Sequence, residues 1–450
     1  MDVTTWQWII LIGINIILYW ISPWSNKVND FFKGSSNNKA PNAILLTSSL
    51  VICWLFAKSI TNAADLGFEF GIVGGVAYSG YYFSFLVAGL VIYRMRTKGG
   101  FTSIHQFLHS KYGRVAVALF TILITFRLFN EIWSNSMVVG SYFGAWGTKG
   151  YYAALVVFTL LTLLYTIKGG MRTSIFTDLI QMVLFTLLLI IILGLIIPKS
   201  EGGFTKILTS GEWAMSQGLN LFFVALIQVL SYPFHDPIMT DRGFMADPKT
   251  TLRSFLWATV IGVFCIILFS FVGVYASINS IGSPVALEVA RVFGLPMMLM
   301  MNAIMMTSAA STIDSTLTST AKLVHLDLLK GKNLTISNAR WTMVIVTVLG
   351  TIPVFFGPAI LSATTISGTM VLGLAPVFIF WNLDAPKISF YASILAGILF
   401  GLLFIFFKVP NFMLITSGKY ADLLSVNLFG TICCFLLFLI PYWIKKYVAK

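Results

Sequence analysis

The run Ser308, Ala309, Ala310, Ser311, Thr312, Ile313, Asp314, Ser315 lies inside an otherwise apolar segment, Met297 to Ala321, of membrane-spanning length. Ser308, Ser311, Thr312 and Ser315 recur at i, i+3, i+4 and i+7, so on a helix they make a single polar stripe. Hard cations take oxygen ligands, and hydroxyls with backbone carbonyls supply them without the full cost of burying charge. Asp314 flanks the stripe and adds one carboxylate. Small hydroxyl residues also let membrane helices approach closely, so packing is a second account of the same pattern.

The rest of the chain has the same character. Of its 450 residues 58% are hydrophobic and 10% charged, against about 25% charged in an average soluble domain. The apolar runs are unbroken rather than alternating with period two, which excludes a β-barrel. The fold class is therefore all-α and polytopic, with about thirteen spans of roughly 20 residues. They read as Trp6 to Ser22, Ala43 to Leu66, Phe70 to Tyr93, Val115 to Phe143, Tyr151 to Ile167, Thr173 to Ile197 and Gln217 to Phe234. Six more follow: Leu252 to Ile278, Met297 to Ala321, Trp341 to Phe356, Ile360 to Trp381, Ile388 to Phe407 and Leu423 to Trp443.

The net charge of +13 would suggest nucleic acid in a soluble protein, but in a membrane protein it reports topology. Basic residues cluster at Arg94, Arg96, Lys98, Lys111 and Arg114, at Lys322, Lys330, Lys332 and Arg340, and at Lys445, Lys446 and Lys450. These fall on one side, which places the N-terminus outside and the C-terminus inside a bacterial-type plasma membrane. The first apolar segment has no basic n-region and no small-residue cleavage site, so it reads as a retained span. Cys53, Cys265, Cys433 and Cys434 lie within spans and point to no disulfide framework. His105, His109, His235 and His325 lack Cys partners at zinc spacing.

The second and seventh expected spans share an irregularity. One reads Lys58, Ser59, Ile60, Thr61, Asn62 and the other Gln228, Val229, Leu230, Ser231, Tyr232, Pro233. Counting five spans from each gives two blocks, 43–197 and 217–381, with an extra span in 1–42 and two more in 382–450. Blocks with an odd number of spans enter the membrane from opposite sides, which makes an inverted repeat, the plan many secondary transporters use to put interrupted helices at mid-membrane.

Ionisable residues inside spans are costly and are functional candidates. Here they include Lys58, Asp65, Arg127, Glu131, Asp178 and Asp314. Lys58 lies too deep to snorkel easily, and either pairs with a solute carboxylate, competes for a cation site or forms a structural salt bridge. Arg127 and Glu131 are four apart and neutralise one another on one helix face. The alternative is Arg127 facing a cavity and holding a carboxylate with its planar fork.

Gly169 and Gly170 make a turn followed by Thr177, Asp178 and Gln181. With Ser311, Thr312, Asp314, Ser315 and then Asp327, this resembles the two signatures of the sodium:solute symporter family, whose members include proline, pantothenate, sialic acid and sugar cotransporters. The segment Phe101 to Leu108 through Lys111, Tyr112 and Gly113 is similar to the family's Thr-x-Pro-Glu-Phe loop, with Ile104 and His105 replacing Pro-Glu. The likeness runs from about 43 to 381 in matching order.

The resemblance implies a LeuT-type fold of five plus five inverted helices and sodium-coupled uptake by alternating access. It implies a sodium site of Ser311 and Thr312 hydroxyls with carbonyls of Ser308, Ile52 and Leu55. It implies a second ion site or ion exit at Asp178, Asp314 and Ser315, and solute contacts at Lys58, Ser59, Asn62, Arg127 and Tyr232. The coupling ion would be sodium, with no other cofactor or metal. The partners would be a small polar solute, sodium and the bilayer, with no nucleic acid. Lys58 departs from the sugar and proline patterns, and with Arg127 it suggests a solute bearing a carboxylate. A proton-coupled or uncoupled carrier, or a non-transporting solute sensor, would have the same fold. No nucleotide loop, metal cluster or nucleophile with a paired base points to an enzyme.

Overall fold

The computed structural model describes residues 2–36, 39–329, 331–332, 334–357 and 367–448. Lys330, Lys450 and the first part of the expected span Ile360 to Trp381 lie outside the described residues. Helices dominate, and among the described residues there is no β-strand, only an isolated bridge between Ser36 and Lys39.

Nine described helices are long and apolar enough to cross a membrane, and a bent pair makes a tenth. The expected spans absent from these are instructive. Gln217 to Phe234 is broken into a helix Leu219–Gln228 and the start of a single turn Tyr232–His235, and a second short helix, Pro237–Arg242, follows just beyond it. Asp236 caps that last helix, accepting from Ile238 N at 2.9 Å and Met239 N at 3.2 Å, and Pro237 supplies the preset φ of a first helical residue. Met297 to Ala321 becomes one continuous helix, Leu295–Lys322. Its polar stripe keeps it out of contact with lipid, and Ser308, Ser311, Thr312 and Ser315 are all fully buried. A helix that is buried all round belongs at the centre of a bundle.

The bent pair is Ala43–Trp54 and Ala57–Phe70, turned by 59° at Leu55 and Phe56. A kink this sharp opens the hydrogen-bond ladder, so the last carbonyls of the first half lose their intrahelical partners. Two are met from the side: Tyr82 Oη donates to Trp54 O at 2.7 Å, and Thr312 Oγ1 lies 3.3 Å from Cys53 O.

The second half, Ala57–Phe70, lies against Pro248–Ile278 at near-backbone distance. A Cβ on Gly273 would come within 1.8 Å of Ala64 O, and one on Gly67 within 2.2 Å of Ser270 O. Without water to drive association, close backbone approach of this kind holds membrane helices together. Leu295–Lys322 packs on Met171–Ile196, Arg114–Ser141, Lys149–Gly169 and Ala43–Trp54, so the stripe faces the break from one side and Asp178 from the other. Outward residues such as Phe126, Ile190, Phe264 and Phe406 are exposed and apolar, which is the surface a bilayer requires.

Candidate functional site

Two polar clusters flank the break. In the first, Thr312 Oγ1 lies 2.9 Å from Ser308 O and 3.3 Å from Cys53 O. Ser311 Oγ donates to Asp178 Oδ1 at 2.5 Å, and Ser49 Oγ donates to Asp178 Oδ2 at 2.5 Å. The Ser308 hydroxyl is fully buried and has no hydrogen-bond partner among the described residues. Ile52 and Leu55 are fully buried at the same end of Ala43–Trp54. The carbonyl that Thr312 touches is that of Cys53, one residue along from the expected Ile52.

The residues expected to form a second ion site do converge. Asp314 accepts from Tyr165 Oη at 2.8 Å and from Ser174 Oγ at 2.6 Å. Ser315 Oγ lies 2.8 Å from Ser174 Oγ. Among them sits a residue the sequence reading passed over, Arg242, which is fully buried. Its Nη2 is 2.7 Å from Ser315 Oγ and 3.6 Å from Asp178 Oδ2, and its Nε donates to Ser49 Oγ at 3.0 Å.

The second cluster lies beyond the break. Lys58 Nζ is 2.9 Å from Glu131 Oε2 and 2.9 Å from Asn130 Oδ1. Arg127 also pairs with Glu131 and reaches Asp236 Oδ2 at 3.2 Å. Asn135 Nδ2 donates to Glu131 Oε2 at 3.1 Å, and Trp54 Nε1 donates to Asp236 Oδ2 at 3.0 Å. Arg127 stands 5.0 Å over the Tyr232 ring, and Lys58 Nζ 4.9 Å over Phe56, arrangements in which ring quadrupoles add to the stabilisation of desolvated cations. Two cations and two carboxylates thus form one buried, charge-balanced network. Arg127 and Glu131 do pair on one face as their spacing suggests, but each also has a partner on another helix.

Ser59 and Asn62 form a neighbouring group instead, meeting at Tyr78, whose hydroxyl is 3.2 Å from Ser59 Oγ and 3.2 Å from Asn62 Nδ2. One turn along from Lys58, Thr61 lines a cavity of about 450 Å³ with Val138, Ser141 and Trp146. Asp65, expected within a span, is exposed and apart from both clusters. The missed residues Asp236 and Arg242 sit on the six-residue helix Pro237–Arg242 and its cap. The signal for it was present as Asp236-Pro237, a capping residue followed by proline, but it lies just past Phe234, where apolarity stops.

On the basic side of the protein, His105 Nδ1 is 3.6 Å from Asp327 Oδ2. This joins the helix Ile104–Tyr112, where the sequence is read as a loop, to the aspartate that follows the stripe. Burial lowers the His105 pKa, opposed by Asp327, and raises that of Asp327, opposed by His105.

The family model of the sodium:solute symporter family matches residues 40–266, half of the chain. The chain belongs to the sodium:solute symporter family. This symporter-family chain is 25% identical over 191 residues to sodium/glucose cotransporter 1 of Ovis aries, a stretch that is 39% of the chain and 28% of that protein. The match thus spans little more than a quarter of the length of that relative. In fold, a substrate-bound outward-open Na+-coupled sialic acid symporter superposes with a TM-score of 0.74 at 15% identity, covering 99% of this chain and 98% of the other. Mhp1, a nucleobase-cation-symport-1 family transporter in a closed conformation, gives 0.58 at 13% identity, covering 92% and 96%. These likenesses establish a LeuT-type fold, and with the apolar helices they make the symporter-family chain a multi-pass membrane protein.

Proposed function

We propose that the protein is a sodium-coupled symporter that moves a small polar solute of zero net charge across the plasma membrane by alternating access. Sodium lies at the break of the first bent helix, on the hydroxyls of Ser311 and Thr312 and the carbonyls of Ile52 or Cys53, Leu55 and Ser308. The observation that carries this is the opened carbonyl end of Ala43–Trp54, where Cys53 O lies 3.3 Å from the Thr312 hydroxyl, with Ser308 fully buried on the same stripe. The site bridges two helices from different halves of the chain, 43–197 and 217–381, read as inverted repeats with the N-terminus outside. An ion that binds across that joint stabilises the state in which the joint is closed, and a solute favouring the same state gains affinity by linkage.

The solute enters beside Lys58, Arg127, Tyr232, Ser59 and Asn62. Lys58 and Arg127 already hold Glu131 and Asp236, so the carboxylate-selecting reading of these two cations is revised. A neutral or zwitterionic solute leaves that pairing undisturbed, whereas a charged one would have to be balanced by an ion bound with it. Ser59, Asn62 and Tyr78 offer hydrogen bonds to its polar groups.

The test is thermal stabilisation of the purified protein by sodium against potassium, repeated on Ser311→Ala and with sugars, zwitterionic amino acids and mono-anionic carboxylates added. A sodium-specific shift that disappears in the variant, with a further shift from an uncharged or zwitterionic compound, is the expected result. Equal shifts in sodium and potassium would reject the reading.

A further inference from the structure

On the basic side of the protein a cavity of about 500 Å³ opens between the start of the helix Arg114–Ser141 and the turn Leu323–Leu328, which continues the stripe-bearing helix Leu295–Lys322. His109, Arg114 and Lys332 line it and are exposed, and among the described residues none of their side chains has an ion-pair or hydrogen-bond partner. Asp327 is the carboxylate of the lining, and His105 holds its Oδ2 at 3.6 Å. Arg114 and Lys332 against Asp327 leave one positive charge over, before any from His109. Gly113 caps Arg114–Ser141 without a side-chain acceptor, so the amides and the positive dipole end of a long helix lie at the same place.

The cavity continues into an apolar track. Val115, Ala118, Ile122 and Phe126 recur at i, i+3, i+7 and i+11, share one face of their helix and are exposed, and Ala118 also lines the cavity. Leu328 and Leu329, exposed as well, belong to the other wall. A free phosphate would use the cations alone, whereas a phosphate attached to an acyl chain uses both the cations and the track.

We propose that this cavity seats the headgroup of an anionic phospholipid. Basic pockets between membrane helices suit such headgroups, and a phosphodiester carries the single negative charge that the lining leaves over. Arg114, Lys332 and His109 take the phosphate, and an acyl chain lies along Val115 to Phe126. The free oxygen of Asp327 accepts from a headgroup hydroxyl, which favours a glycerol headgroup, as in phosphatidylglycerol, over choline. One bound lipid then ties Arg114–Ser141 to the end of the stripe helix and, through Asp327 and His105, to Ile104–Tyr112. The inference depends on neither the coupling ion nor the transported solute.

The experiment titrates delipidated, detergent-purified full-length protein with phosphatidylglycerol, phosphatidylcholine and water-soluble glycerol 3-phosphate, reading bound lipid by native mass spectrometry and Tm by thermal unfolding. Wild type should retain phosphatidylglycerol about tenfold or more tightly than phosphatidylcholine, with a matching rise in Tm. Arg114→Gln with Lys332→Gln should abolish that preference. Lys98→Gln with Lys446→Gln removes the same charge from exposed positions outside the cavity and should keep it. Equal retention of the two lipids by wild type, or the same loss in both double variants, would overturn the inference. Glycerol 3-phosphate raising Tm as much as phosphatidylglycerol would show a site for a free phosphate and overturn the lipid assignment. The wild-type comparison decides the matter even where a variant does not fold.

Discussion

Glu131→Gln strikes the one carboxylate shared by two buried cations. Lys58 would lose its carboxylate partner and keep uncharged amide oxygens, that of Asn130 at 2.9 Å among them, and Arg127 would keep the carboxylate of Asp236 at 3.2 Å. Both ends are about 1 to 2% exposed, so solvent screening does little to soften the loss. Removing one partner of a buried pair typically costs about 3–5 kcal/mol, because the remaining charge stays desolvated without compensation. The double variant Lys58→Met with Glu131→Gln removes the orphaned cation together with its partner and leaves Arg127 balanced by Asp236. It is expected to recover roughly half or more of that loss, since replacing a whole buried pair by apolar groups is often close to neutral. Thermal unfolding in detergent of wild type, both single variants and the double variant gives the order, and the cycle gives the coupling. A Glu131→Gln protein as stable as wild type, or a double variant no better than Glu131→Gln, would refute a charge-balanced network.

Three further outcomes follow from the geometry. Thr312→Val keeps the volume and removes the hydroxyl, and a lost contact to a charged ligand, about 1.5–3 kcal/mol, weakens sodium affinity by about tenfold or more in a thermal-shift titration. Gly273→Leu puts a side chain where a Cβ alone would lie 1.8 Å from Ala64 O, so yield and Tm should collapse, while Gly282→Ala, with open space around it, should change neither. His105→Gln bears on pH. Burial lowers the folded pKa of His105, so its contribution is present above the unfolded value of about 6.5 and declines as pH falls below it. The variant should therefore lose less Tm than wild type between pH 7.5 and 5.5, and an identical slope would contradict the assignment.

What could be read from the sequence and what could not divide along physical lines. The stripe Ser308 to Ser315 was legible because a helix period of 3.6 turns spacing into a shared face. The break near Lys58 was legible because polar residues interrupt an apolar run. The partners of Lys58 were not, since Glu131 and Asn130 lie more than seventy positions away and only the packing of Ala57–Phe70 on Arg114–Ser141 brings them near. Arg242 was missed for a different reason. Its helix of six residues follows a proline break and carries Asp236, Asp241 and Arg242, so by hydropathy it resembles a loop. Asp65 was counted with the buried ions because hydropathy windows do not distinguish the outer turn of a span from its centre, and it is exposed.

Sodium coupling through the Ser311 and Thr312 site is the claim on which the rest depends. The most direct measurement is ²²Na⁺ uptake into proteoliposomes under an inward sodium gradient, with and without pooled sugars and zwitterionic amino acids, for wild type and Thr312→Val. Solute-stimulated sodium uptake in wild type that is absent from the variant is the expected result. Solute uptake that proceeds equally in potassium, or that follows a proton gradient instead, would contradict it.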